Sequence, residues 1–94
     1  MSLLLVELDV RPGEEQDLER AFLDVFRPAI SAQPGFEAVA LLRPAAGQRW
    51  LLEIRFIDEA KRLAWVTTDI HQKVWPEIDR LCEQVKSELF EAVT

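Results

Sequence analysis

The chain has 94 residues, 49% of them apolar, and carries a formal charge of -6. At that size it reads as a single domain over residues 1–94, whose folding hides only about 60–65% of the unfolded surface, so association with a second copy is the expected source of extra stability. The apolar content excludes a disordered chain, and the acidic balance without any basic run excludes a nucleic-acid or anionic-membrane surface. Cys82 is the only cysteine. With no disulfide partner and no signal-like segment, a reducing cytoplasm is the expected compartment.

The first element is a strand over Leu3–Val10, where Val6, Leu8 and Val10 alternate with Glu7 and Asp9. The apolar run Ser2–Val6 is far too short to cross a membrane. Pro12-Gly13 makes a turn, and Glu14 and Glu15 suit the positive end of a helix. That helix carries Leu18, Ala21, Phe22, Val25, Phe26, Ala29 and Ile30 on one stripe. Pro28 cannot donate to the Asp24 carbonyl, which predicts a kink or an early end, and Gln33–Gly35 stops the helix.

Two strands follow, Phe36–Arg43 and Arg49–Ile57, joined in a hairpin by Pro44–Gln48. Trp50, Leu52, Ile54 and Phe56 form an apolar face. Glu53 and Arg55 share the other face with Leu51, and a buried cross-strand salt bridge is expected there. Asp58 suits the N-cap of a second helix, with Ala60, Leu63 and Ala64 toward the core. On that helix Trp65 lies off the buried side, where an indole meets a ligand, a partner chain or a crossing segment.

In the last third, His71, Val74, Trp75, Ile78, Leu81, Cys82 and Val85 keep helical spacing, and periodicity alone allows one long helix to Val93. Three strands with no fourth would leave an edge exposed, so a terminal strand from about Lys86 is expected. The order strand, helix, strand, strand, helix, strand is the ferredoxin-like split βαβ arrangement, an α+β fold with helices on one face of an antiparallel sheet. The other face, with Leu3, Leu5, Val39 and Leu51 among its charges, suits a homodimer that packs sheet against sheet.

The segments VELDVRPGEEQDLERAF, PGFEAVALLR and LLEIRFIDEA, followed by Trp65, His71 and Trp75-Pro76-Glu77-Ile78, resemble the antibiotic-biosynthesis-monooxygenase family of the dimeric α/β-barrel superfamily. The resemblance covers nearly the whole chain through a diffuse pattern without a single catalytic signature. It implies a homodimer whose sheets form a barrel, with a cleft between helices and sheet in each subunit. It also implies cofactor-independent oxidation of a phenolic or quinol-like aromatic by molecular oxygen, as some members perform. Others degrade haem, and many have no assigned activity. The haem-degrading branch uses an Asn on the first strand, at a position that falls near Val6, a Trp that Trp65 matches, and a His further downstream than His71. This chain has no Asn at all. Those departures speak against haem turnover, and no cofactor is expected.

His71, the only histidine, is the candidate base, because a neutral imidazole can accept a phenolic proton near neutral pH. Pro76 crowds the Gln72 carbonyl, so the turn around His71 is expected to open or kink beside the two indoles. Trp65, Trp75, Phe22 and Phe26 are the candidate substrate-binding residues. The alternatives are structural: His71 capping a carbonyl or lying at an interface, Trp65 packing between elements or subunits. Cys82 reads as a small core residue. One His, one Cys and no clustered carboxylates give no metal site. The competing function is a non-catalytic dimer of the same fold that binds a small ligand or a partner.

Overall fold

The computed structural model describes residues 1–93; Thr94, the last residue of the expected domain, lies outside them. The elements are β1 (Ser2–Val10), α1 (Glu15–Arg20), a π-helical segment (Ala21–Phe26), α2 (Arg27–Ser31), β2 (Phe36–Leu42), β3 (Arg49–Phe56), α3 (Glu59–Val66), α4 (Asp69–Asp79) and β4 (Cys82–Glu91). The strands form one antiparallel sheet in the order β2-β3-β1-β4, and the helices cover one face of it. This is the ferredoxin-like arrangement. Among the described residues, no helix is long and apolar enough to cross a membrane.

Register builds the core. Val6 lies opposite Leu52 and Leu8 opposite Trp50, so the alternating apolar residues of β1 and β3 fall on the same, helix-covered face. Leu18, Phe22, Phe26 and Ile30 close over them from the first helical run, and Val74 and Ile78 from α4. Val39 joins this side and not the open face, because it sits opposite Ile54; Leu42, opposite Leu51, takes the place expected for it.

The first helix does not end at Pro28. It widens instead: the Arg27 N–H donates to the carbonyl of Phe22, five residues back, and the chain stays helical to Ser31. This register shift accommodates a residue that has no N–H to give. The wider turn also rotates Val25 off the expected stripe, to 37% exposure.

The second helix is two helices. Thr68 caps α4 by accepting from the His71 N–H at 3.2 Å, so the chain restarts two residues after α3 ends. The core-facing side of α3 differs from expectation. Ala60, Leu63 and Ala64 are exposed, Leu63 at 50%, whereas Trp65 is 3% exposed and Glu59, Arg62 and Val66 are half-buried. Glu59, Arg62, Trp65 and Val66 are the true helical face, at spacings of three and four. Its two charges pair with each other: Arg62 Nε donates to Glu59 Oε1 at 2.6 Å and Nη2 to Oε2 at 2.8 Å, with the buried Ser2 hydroxyl donating at 3.0 Å.

Strand β4 starts at Cys82, four residues earlier than expected. Leu81, Cys82 and Val85 fit a helical stripe, but pairing with β1 runs from Val10 opposite Cys82 to Ser2 opposite Glu91, with an irregularity after Asp9. That long ladder outweighs the helical pattern. Glu53 and Arg55 make no salt bridge among the described residues. On β3 they lie opposite Leu5 and Ala40, and Leu3 and Ala38, so neither faces an opposite charge. The ion pairs among the described residues are Asp17–Arg20, Glu19–Arg43, Glu59–Arg62 and Glu77–Arg80.

Candidate active site

A cleft of about 220 Å³ opens between the sheet and the two short helices. Val6, Ile54 and Val85 form its floor, one from each of three neighbouring strands. Phe26, Trp65 and Trp75 form aromatic walls, and the polar groups are Arg62, His71 and Ser87. Phe26 ties the walls together. Its ring meets Trp65 edge-on at 6.0 Å and Trp75 at 6.2 Å between centroids. Such pairs contribute roughly 0.5–1.5 kcal/mol each beyond area burial.

Four of the five expected site residues therefore share one cleft. Phe22 does not. It stacks on Phe26 at 6.4 Å but lines a separate depression with Trp50, Val39 and Leu41, so it backs the cleft from behind Phe26. Trp65 is both core and cleft wall, and it packs between elements of its own chain.

His71 occupies the third position of α4, where the helix begins at Asp69. Its ring stands perpendicular to Trp65, with centroids 4.9 Å apart. The side chain caps no carbonyl: Nδ1 is shut away from solvent and has no hydrogen-bond partner among the described residues. Nε2 is then the nitrogen a ligand can reach. Burial first, and the positive charge of Arg62 second, push the imidazole below its ordinary pKa. The positive end of α4 acts in the same direction. His71 is accordingly neutral at pH 7, the state a proton acceptor needs. The turn around it is not opened. Helix α4 continues through Pro76, and Gln72 and Pro76 both lie at the exposed surface, where water can serve the released carbonyl.

Arg62 was not legible as a site residue. It looks like an ordinary surface arginine, and the available signal was its position three residues before Trp65 on the same helical face. Its guanidinium holds the Glu59 carboxyl below the usual carboxylate range. Cys82 lies outside the cleft. Burial and neighbouring Asp79 push its thiol up to about 11, and Sγ donates to the Ile78 carbonyl, so it is an inert packing group. Among the described residues, no three His, Cys, Asp or Glu side chains gather as metal ligands would.

This topology with an aromatic cleft defines the class of small ferredoxin-like α+β domains. The antibiotic biosynthesis monooxygenase family profile matches residues 1–75, and the chain belongs to that family. Solved structures of the same fold include a variant of SnoaB, a cofactor-independent oxygenase from Streptomyces nogalater, at 16% identity and a TM-score of 0.87 over 99% of this chain and 93% of that one. A variant of MhuD with two manganese protoporphyrin IX molecules per active site is 20% identical, with a TM-score of 0.81 over 100% and 96% of the two chains. Rv0793 from Mycobacterium tuberculosis is 14% identical, with a TM-score of 0.83 over 99% and 95%. No curated protein sequence matches the chain.

Proposed function

We propose that this protein is a cofactor-independent monooxygenase acting on a small phenolic or quinol-like aromatic compound. One observation carries the reading: a neutral, half-buried imidazole set edge-on against an indole in an otherwise apolar cleft. Such substrates supply their own electrons. Nε2 of His71 removes the proton of the aromatic hydroxyl, which an anthrone bears in its enol form, and the resulting anion passes one electron to dioxygen from the ring carbon. The radical and superoxide combine to a peroxide, the imidazolium returns its proton, and loss of water leaves a carbonyl. The balance is a methylene plus O₂ giving a carbonyl plus H₂O. Trp65, Trp75 and Phe26 hold the ring and keep water out, with Phe22 as their support.

The working form is a homodimer. The open face of the sheet, where Leu3, Leu5, Leu42 and Leu51 lie among charges, is the surface that a second copy covers. A cytoplasmic location accords with a single, buried thiol.

A second reading is a non-catalytic homodimer that binds a small ligand or another partner. It draws support from the sparse polar complement of the cleft: Arg62, His71 and Ser87 alone among the described residues. Oxygen consumption with a panel of anthrones and hydroquinones, in the presence of a chelator, separates the two. Uptake that depends on His71 supports the enzyme. Ligand binding with no uptake from any member of the panel removes it.

A further inference from the structure

The proton transfer just described has an energetic gap. Ordinary phenols ionise near pH 10 and imidazole near 6.5, so moving the proton is unfavourable by more than about a thousandfold. Burial and Arg62 weaken His71 as a base still further. A weak base can work only if something in the cleft stabilises the anion it produces.

Among the described residues, Arg62 is the one permanently charged side chain that lines the cleft. Its side chain is only 14% exposed, so little water screens it. The guanidinium is also oriented. Nε and Nη2 are committed to Glu59, which fixes the plane of the group, and Nη1 donates to no acceptor among the described residues. Arg62 acts on the neighbouring His71 imidazole as a positive charge. Trp65, three residues on along α3, places an indole wall beside this cation.

We infer that Arg62 is the anion-binding residue of the cleft: its free Nη1 edge takes the oxygen of an aromatic hydroxyl as that oxygen ionises, with Glu59 acting to hold the guanidinium in place. This rests on the proposed phenolic substrate class and extends it, since the cleft then selects aromatics that bear an ionisable hydroxyl over neutral aromatics of the same size. The bond formed is a charge-assisted N–H···O⁻ hydrogen bond. The proton leaves the ligand oxygen for Nε2 of His71, and no electron moves in this step.

The test uses 4-nitrophenol, whose ionised form absorbs where the neutral form does not. Bound to the wild-type chain, the probe should ionise at least about tenfold more readily than in free solution. Arg62→Gln should abolish that shift, and Arg62→Lys should keep part of it. Because Arg62→Gln leaves the Glu59 carboxylate without its partner, the double variant Glu59→Gln/Arg62→Gln provides a matched pair of amides, and it should lose the shift as well. The His71 imidazole, followed by NMR, should titrate at higher pH in the two variants that carry Gln at position 62, because a positive neighbour has gone. Failure of the wild-type chain to bind the phenolate, or a shift unchanged in the glutamine variants, overturns the inference. Oxygen uptake does not enter this readout, so a probe ionised at Arg62 in a chain that consumes no oxygen keeps the anion site and discards the monooxygenase.

Discussion

The His71 imidazole meets the Trp65 indole at 81° with 4.9 Å between ring centroids, although the two residues belong to different helices. The contact exists because α3 ends at Val66 and α4 starts at Asp69, and Thr68 caps the second while its hydroxyl donates to the Trp65 carbonyl at 2.7 Å. One residue thereby links the backbone carrying the indole to the backbone carrying the base. A single long helix would have spread the two rings along its length.

Trp65 is a wall of the cleft and a member of the core, so its removal should be felt in stability before function. Trp65→Ala should cost about 3–5 kcal/mol in urea unfolding, the range for deleting a large buried aromatic. Trp65→Phe, which keeps a ring against Phe26, should cost about 1–2 kcal/mol. An Ala variant as stable as the parent would show that the indole carries no core packing.

The inward faces of β1 and β3 were legible because alternation has one meaning once a sheet has a covered side: Val6, Leu8, Leu52 and Ile54 are where their spacing puts them. The face of α3 was not. Apolar periodicity selects Ala60, Leu63 and Ala64 and cannot register that Glu59 and Arg62 pair with each other and so turn inward. The start of β4 was hidden for a different reason. Leu81, Cys82 and Val85 satisfy helix and strand alike, and only the partner β1, some seventy residues away in the chain, decides between them. His71 with Trp65 and Trp75 was legible from proximity alone, whereas Arg62 needed the helix face to be known first.

Val6 lies on the floor of the cleft, near the place where the resemblance to the haem-degrading branch implies an Asn. The only histidine comes six residues after Trp65, earlier than the resemblance to that branch places its haem-binding histidine. Haem added with a reductant should therefore keep its Soret band and release no iron. Loss of the band with iron release would contradict this.

Leu5 sits on the open sheet face directly opposite Glu53 on one side and Glu88 on the other. Leu5→Glu would place three carboxylates in a row where a second copy is expected to dock, and like charges directly opposite destabilise such a surface. Sedimentation at micromolar concentration should show a dimer for the parent and a monomer for the variant, with the fold retained by circular dichroism. A parent that sediments as a monomer ends the dimer reading.

Gly35 has φ of +79°, and a Cβ there would come within 2.6 Å of the Lys61 side chain and 2.9 Å of Ile57. Gly13 has φ of +88° and open space around it. Both substitutions to Ala strain the backbone, at about 1 kcal/mol, but only Gly35→Ala also pushes α3 away from the loop it rests on. Gly35→Ala should therefore be the more destabilising, by at least about 1 kcal/mol in thermal or urea unfolding. Equal losses at the two positions would show that the close approach carries no weight.

His71 offers the sharpest contrast between a base and a packing group. As a base, its loss in His71→Ala should lower the rate of oxygen uptake by about 10²–10⁴-fold while the chain stays folded. His71→Gln should be nearly as impaired, since an amide fills the space and makes hydrogen bonds but accepts no proton. Activity of the parent should fall as pH drops through the imidazole's folded pKa, which lies below the ordinary value for histidine. Stability follows with a defined sign. The unfolded chain takes up its proton at a higher pH than the folded one, so the contribution of neutral His71 is complete above about pH 6.5 and declines as pH falls from there through the lower folded value. His71→Gln should flatten the stability profile in that window. A Gln variant with near-normal turnover would make His71 a packing group beside Trp65, and a profile unchanged by the substitution would show that burial does not hold the imidazole neutral.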